Sequence, residues 1–353
     1  PFNSGLIVYI ILLDNYIIYV IPVINPDGYE QSFVINNRPN LRPRDANGDN
    51  IPYSDPYTDI DGDGFIGTLD RATADDTPSG DLPVFGMESP DWDENGILGD
   101  DPRTSGIDMN RTFDYQWNRY DIETKDGQQI GNVNWTTAGT APATEPEIKA
   151  LQQFMYTRNM AALVTLHTGI QSVLYPWCYR AYDENNPDDA AIPFMKDTAA
   201  EMAQAFQNYT GRGFYSMSSN EDYPTAAELI DYAYGRYNIH AYTIEVYSPG
   251  KSEDGDISSC KWENTMPEAT WVFYSRDEIR DTLGLDSDAI TDSDGVGLAE
   301  GEGLWFYTSS TNQMVNRAPE EQDVMVRGCR DAILTMMESE PNRKGYQNPG
   351  FYK

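Results

Sequence analysis

Three short runs of β-branched and aromatic residues, at 16–24, 161–166 and 241–246, alternate with segments of helical periodicity. Continuous apolar runs of this length read as strands buried on both faces, and that burial requires helices packed on either side. The pattern confines the chain to an α/β fold with a mixed, mainly parallel central sheet flanked by helices. One helix is expected to open at Thr144-Glu145-Pro146-Glu147, a capping-box pattern with an early proline, and to bury Ala150, Leu151, Phe154 and Met155. A second is expected over 190–209. A third starts near Pro319, with Met325, Cys329, Ala332 and Met336 at helical spacing.

Two Asp- and Gly-rich stretches interrupt this alternation. Residues 36–106 and 249–317 show little periodicity and read as insertions within a single domain spanning 1–353. The turn Asn25-Pro26-Asp27-Gly28 ends the first strand run. The apolar stretch at 6–23 is split by Asp14 and Asn15 into pieces too short to span a bilayer, so no membrane span is expected. A net charge of −33 excludes nucleic acid as partner, since no basic surface exists to neutralise phosphates. The three cysteines, Cys178, Cys260 and Cys329, are too few and too scattered for a disulfide framework or a Cys-rich metal site.

In open α/β sheets, functional groups gather at the carboxyl ends of strands. His167, one of only two histidines, ends the second strand run, and Glu245 lies at the end of the third. Around them stand five blocks in order: Ile21-Pro22-Val23-Ile24-Asn25-Pro26-Asp27-Gly28-Tyr29-Glu30, Gly106-Ile107-Asp108-Met109-Asn110-Arg111, Thr165-Leu166-His167-Thr168 with Leu174-Tyr175-Pro176, Asp231-Tyr232-Ala233-Tyr234, and Tyr242-Thr243-Ile244-Glu245. This series resembles the zinc carboxypeptidases of the pancreatic type, over residues 16–246 and the last helix.

The resemblance implies removal of single residues from the C-termini of peptides and proteins by zinc-activated water; a monomer is expected, and secretion is expected from the acidity and the calcium loop at 59–70. It implies His167 as one zinc ligand and Glu245 as the carboxylate that takes the water's proton and delivers it to the leaving amine. Arg111, with its planar fork, and Asn110 would clamp the substrate's carboxylate. Tyr223 would be the mobile tyrosine that closes over substrate. An oxyanion-stabilising arginine is implied within Asn37-Arg38-Pro39-Asn40-Leu41-Arg42, with Arg38 preferred and Arg42 the alternative. Ile230 falls at the floor of the side-chain pocket and implies an apolar terminal residue, while neighbouring Glu228 would favour a cation if it reached the pocket.

Departures from the family pattern are plain. Thr112 stands where an asparagine is usual and Gly169 where an aromatic is usual. None of the 24 residues before Asn25 is a histidine, so the family's other two ligands, a His and a Glu three residues apart, are expected upstream of Pro1. A zinc-less peptide-binding pseudoenzyme and an amide hydrolase of small acylated amino acids are the competing readings.

A second metal site is legible without the resemblance. Asp59, Asp61, Asp63 and Asp70 occupy positions 1, 3, 5 and 12 of an EF-hand-like calcium loop, with Gly64 at 6 and Ile66 at 8. The carbonyl of Phe65 would add a ligand, and the bound cation would order the first insertion. Asp45-Ala46-Asn47-Gly48-Asp49 resembles half of another such loop.

Overall fold

The computed structural model describes residues 16–34, 59–76, 84–88, 107–117, 119, 141–247, 271–292, 295–308 and 319–340. In chain order the elements are α1 (Pro26–Gln31), β1 (Thr68–Thr73), β2 (Val84–Met87), a 3-10 turn (Met109–Arg111), α2 (Pro146–Tyr156), β3 (Ala162–His167) and β4 (Ser172–Tyr175). There follow α3 (Ile192–Thr210), β5 (Tyr215–Ser218), α4 (Ser219–Asp222), α5 (Leu229–Tyr237), β6 (His240–Glu245), β7 (Trp271–Ser275), α6 (Arg276–Asp281), β8 (Glu302–Tyr307) and α7 (Pro319–Ser339).

One four-stranded sheet runs in the order β3-β6-β4-β5. β3 pairs with β6 and β4 with β5 in parallel, while β4 pairs with β6 antiparallel. The sheet is therefore mixed, as expected. β6 shows why the apolar run at 241–246 has no alternation. Tyr242 and Ile244 enter one core with Met195, Met202 and Phe206 of α3 and Met325, Cys329, Ala332 and Met336 of α7. Ala241 enters a second core with Ile148, Leu151 and Met155 of α2 and Leu229, Ile230 and Ala233 of α5. Successive residues of a strand point to opposite faces, so with helices on both sides Ala241, Tyr242 and Ile244 are all buried.

The helices differ from expectation in detail. Glu145, not Thr144, is the N-cap of α2, with no side-chain cap bond, because Thr144 Oγ1 donates instead to Glu145 Oε1 at 2.8 Å. Ala150 is exposed and Ile148 takes its place in the core. α3 and α7 approach closely at Gly328, where a Cβ would stand 2.8 Å from Thr210 Cγ2 and 3.1 Å from a Phe206 ring carbon. Cys178 and Cys329 are buried free thiols; Cys260 lies outside the described residues.

Residues 16–24 are not a strand. Ile17 is 81% and Val20 77% exposed, and among the described residues no strand pairs with this run. Its contacts are side-chain ones: Tyr16 Oη donates to Met337 O at 3.0 Å, and the Tyr19 ring meets Phe154 edge-on. Without a ladder partner the strand propensity of this sequence has nothing to act on. Asn25 then caps α1, its Oδ1 accepting from Gly28 N at 2.9 Å, so the expected turn is a helix start.

The two stretches read as insertions come together. β1 and β2 from the first and β7 and β8 from the second form one antiparallel sheet, ordered β2-β1-β8-β7, with Leu69 opposite Phe306. Leu69, Leu304 and Phe306 pack with Ile279 and Ile290 in a third core.

Candidate active site and acidic loop

The parallel register of β3 and β6 sets His167 directly opposite Glu245 at the carboxyl ends of adjacent strands. Their side chains approach to 4.0 Å between Nδ1 and Oε1. Beyond the strands, Val246 N donates to His167 O and Gly169 N to Tyr247 O, which locks the two ends together. Gly169 has φ 147°, a conformation that disfavours the larger residue usual at this position.

Facing them is the 3-10 turn that carries Asn110 and Arg111. Asp108 caps it, its Oδ1 accepting from Asn110 N at 3.0 Å. Thr112 steadies it through Oγ1 to Met109 O, and Phe113 N bonds to Ala227 O just ahead of α5. Asn110 bridges to α5 as well, since its Oδ1 accepts from Leu229 N at 3.0 Å. The Arg111 guanidinium is 4% exposed as a residue and donates to Asn110 O at 3.0 Å, Glu228 Oε1 at 2.9 Å and Tyr223 Oη at 3.1 Å. Burial works against its charge, but Glu228, Tyr223 and Asp108 outweigh that and keep it firmly protonated. Asp108, Asn110, Arg111, His167, Tyr223 and Glu245 line one cleft, with Glu228 and Asp222. Four sequence-expected residues are thus brought to His167: Asn110, Arg111, Tyr223 and Glu245.

Ile230 is placed elsewhere. It is 1% exposed in the core beneath α5 and does not line the cleft, whereas Glu228 does. Glu228 is the N-cap of α5, with extended backbone at ψ 156°, and Ile230 lies in the first helical turn, so the two side chains leave in different directions. Glu228 as the partner of Arg111 was not legible in sequence, since 117 residues separate them. Arg38 and Arg42 lie outside the described residues.

Next to the cleft, Asp231 of α5 is completely buried, with Cys178 N donating to both its oxygens at 2.9 and 3.1 Å. Burial pushes its carboxyl up to about 7, helped by the charge of Glu228 and opposed by the Cys178 bond. Between about pH 4, where the unfolded group titrates, and 7, the folded chain holds a proton the unfolded chain has lost. This contribution to stability is complete below the window and is lost as pH rises through it. The melting temperature of wild type relative to Asp231→Asn is therefore expected to fall from pH 4.5 to 7.5. A pH-independent difference would refute the assignment.

A catalytic zinc takes three protein ligands. His167 has the right chemistry for one, but among the described residues the group of three metal-type donors lies elsewhere, at Asp59, Asp61 and Glu88. The described residues do not by themselves make a zinc centre.

That second group sits at the loop before β1. Asp59 accepts from the N–H groups of Gly62, Asp63 and Gly64, and Gly64 at loop position 6 takes φ 93°. Asp63 accepts from Phe65 N at 2.7 Å. Asp70, expected at position 12, is instead a β1 residue only 1% exposed, and the acid that joins Asp59 and Asp61 is Glu88, just after β2. The loop is followed at once by a strand rather than a helix, which carries Asp70 into the sheet. Glu88 accepts from Ile60 N and Gly67 N, and burial with the charges of Asp61 and Asp63 pushes it up to about 8 against those bonds. The half-loop at 45–49 lies outside the described residues.

The fold is that of an α/β protein whose mixed sheet presents an imidazole and a carboxylate at adjacent strand ends, facing a buried arginine. The chain belongs to the zinc carboxypeptidase family, whose sequence profile matches residues 10–266. It is similar to human mast cell carboxypeptidase A, at 26% identity over 184 residues, covering 48% of this chain and 41% of the relative. It is 30% identical over 150 residues to carboxypeptidase B of Canis lupus familiaris, covering 41% of this chain and 33% of that one. The chain therefore spans about two fifths or less of the length of these relatives. The carboxypeptidase A structure from Helicoverpa armigera aligns over 92% of this chain and 52% of its own, at 13% identity and a TM-score of 0.44.

Proposed function

We propose that this chain carries the substrate-recognising and proton-handling part of a carboxypeptidase site that releases single residues from peptide C-termini. The observation that carries this reading is the one cleft holding Glu245 and His167 on paired strand ends opposite Arg111, Asn110 and Tyr223. In it, Arg111 and Asn110 receive the substrate's terminal carboxylate and Tyr223 covers it. Glu245, which lines the cleft, takes a proton from the attacking water and passes it to the leaving amine. His167 would be one ligand to a zinc ion, which when bound would supply Lewis-acid activation of that water. Two further donors are needed, together with an oxyanion arginine drawn from Arg38 or Arg42. Release of the terminal residue from acylated dipeptides should require a free C-terminal carboxylate and disappear on chelation. Equal cleavage of the amidated peptides would refute the reading.

The single imidazole at the cleft favours one second reading, a peptide-binding protein that uses the same clamp without turnover. Zinc titration of the full-length protein separates the two: stoichiometric uptake lost in His167→Ala supports the enzyme, and no uptake supports the binder.

We also propose that Asp59, Asp61, Asp63, the Phe65 carbonyl and Glu88 bind calcium and so stabilise the β2-β1-β8-β7 sheet. Tyr274 of β7 supports this link, its Oη donating to Asp61 at 3.3 Å. A ligand that binds only the folded state stabilises it by about 2.7 kcal/mol at a hundred times Kd. Calcium should raise the melting temperature of wild type but not of Glu88→Gln; an equal rise in both would remove Glu88 from the site. Among the described residues no helix is long and apolar enough to cross a membrane. Secretion is proposed on the acidic composition and the calcium loop.

A further inference from the structure

The clamp read above as holding the substrate's carboxylate already holds a carboxylate. Glu228 Oε1 accepts from Arg111 Nη1 at 2.9 Å, and its Oε2 from Asn110 Nδ2 at 3.4 Å. These are the same two side chains assigned to the incoming C-terminus. Thr225 Oγ1 and, at 3.4 Å, Cys178 Sγ complete the set of donors around Glu228. The residue is 8% exposed, stands at the N-cap of α5, and lines the same cleft as Tyr223, His167 and Glu245.

Two physical consequences follow. A bidentate grip on a substrate carboxylate needs the Arg111 donor that Glu228 now uses, so one carboxylate must give way to the other. The charge balance then decides which ligands gain from the exchange. Among the described residues, the charged groups lining the cleft are Asp108, Asp222, Glu228, Glu245 and one guanidinium, Arg111. A lone carboxylate takes Arg111 from Glu228 and leaves that buried carboxylate without the guanidinium it had paired with, which is costly. A terminal residue that brings a carboxylate and a cationic side chain leaves the charge unchanged and gives Glu228 a new partner.

We propose that Glu228 is a specificity-determining residue, an internal stand-in for the substrate's carboxylate that yields Arg111 to a terminal residue whose cationic side chain takes over Glu228. This rests on the carboxypeptidase reading of the cleft and replaces the apolar preference expected from Ile230. The test is calorimetric binding of acetylated dipeptides ending in lysine, in leucine and in leucine amide, to the full chain and to Glu228→Gln. Wild type should bind the lysine peptide about ten-fold more tightly than the leucine peptide. Glu228→Gln should close that gap, chiefly by binding the leucine peptide better. Equal affinities of wild type for the lysine and leucine peptides overturn the proposal without recourse to any variant. An unchanged ratio in Glu228→Gln overturns it too. If instead leucine peptide and leucine amide bind equally to both proteins, the clamp itself has been misread and the carboxypeptidase reading fails with it.

Discussion

Glu245→Gln is expected to lower turnover of an acylated dipeptide by about 10²–10⁴-fold, the range spanned by positioned general bases. Its affinity for the same peptide should stay within about two-fold, because amide and carboxylate are nearly isosteric and the terminal carboxylate is held elsewhere. Glu245 sits at the end of β6 between β3 and β4, paired with His167 on one side and Ser172 on the other. The substitution therefore removes a proton acceptor without opening a cavity. Single-turnover kinetics with a parallel binding isotherm read the two quantities separately. Full turnover in the variant would eliminate Glu245 as the base, and loss of binding along with turnover would make it a substrate contact.

The second large effect is on stability. Arg111→Met should cost about 3 kcal/mol, because deleting one partner of a buried ion pair strands the other charge. The stranded group is Glu228, which keeps its bonds from Thr225, Asn110 and Cys178 but loses its guanidinium partner. Pairing Arg111→Met with Glu228→Gln should recover much of that loss, since a neutral amide tolerates the same site. Urea unfolding of the wild type, both single variants and the double variant forms the required cycle. Additive losses would mean that the two side chains do not depend on one another, contrary to the 2.9 Å contact.

Much of the site was legible in the chain because its chemistry is carried by residues at strand ends and in short local motifs. His167 and Glu245 could be placed from the apolar runs that precede them, since a run of that kind has few ways to end. Asn110, Arg111 and Tyr223 came from family resemblance and order along the chain, and the fold brings them into the same cleft. Ile230 illustrates the limit: its position in sequence suited a pocket floor, yet the first turn of α5 sends it into the core, while Glu228 at the N-cap faces the cleft. Asp70 failed for a related reason. The loop pattern is local, but the sheet that follows it is not, and β1 draws Asp70 into its pairing with β2 and β8.

By itself the sequence determined the α/β class and placed His167 and Glu245 at strand ends, and its family resemblance named Asn110, Arg111 and Tyr223. Periodicity and local turn chemistry act over a few residues and survive without knowledge of what lies far along the chain. Only the tertiary structure decided that 16–24 stays out of the sheet, that two Asp-rich stretches build a second sheet, and that Glu228 holds Arg111 and Glu88 joins Asp59. Each of those outcomes depends on a partner many residues away, and a ladder, an ion pair or a metal cluster has no energy until that partner arrives.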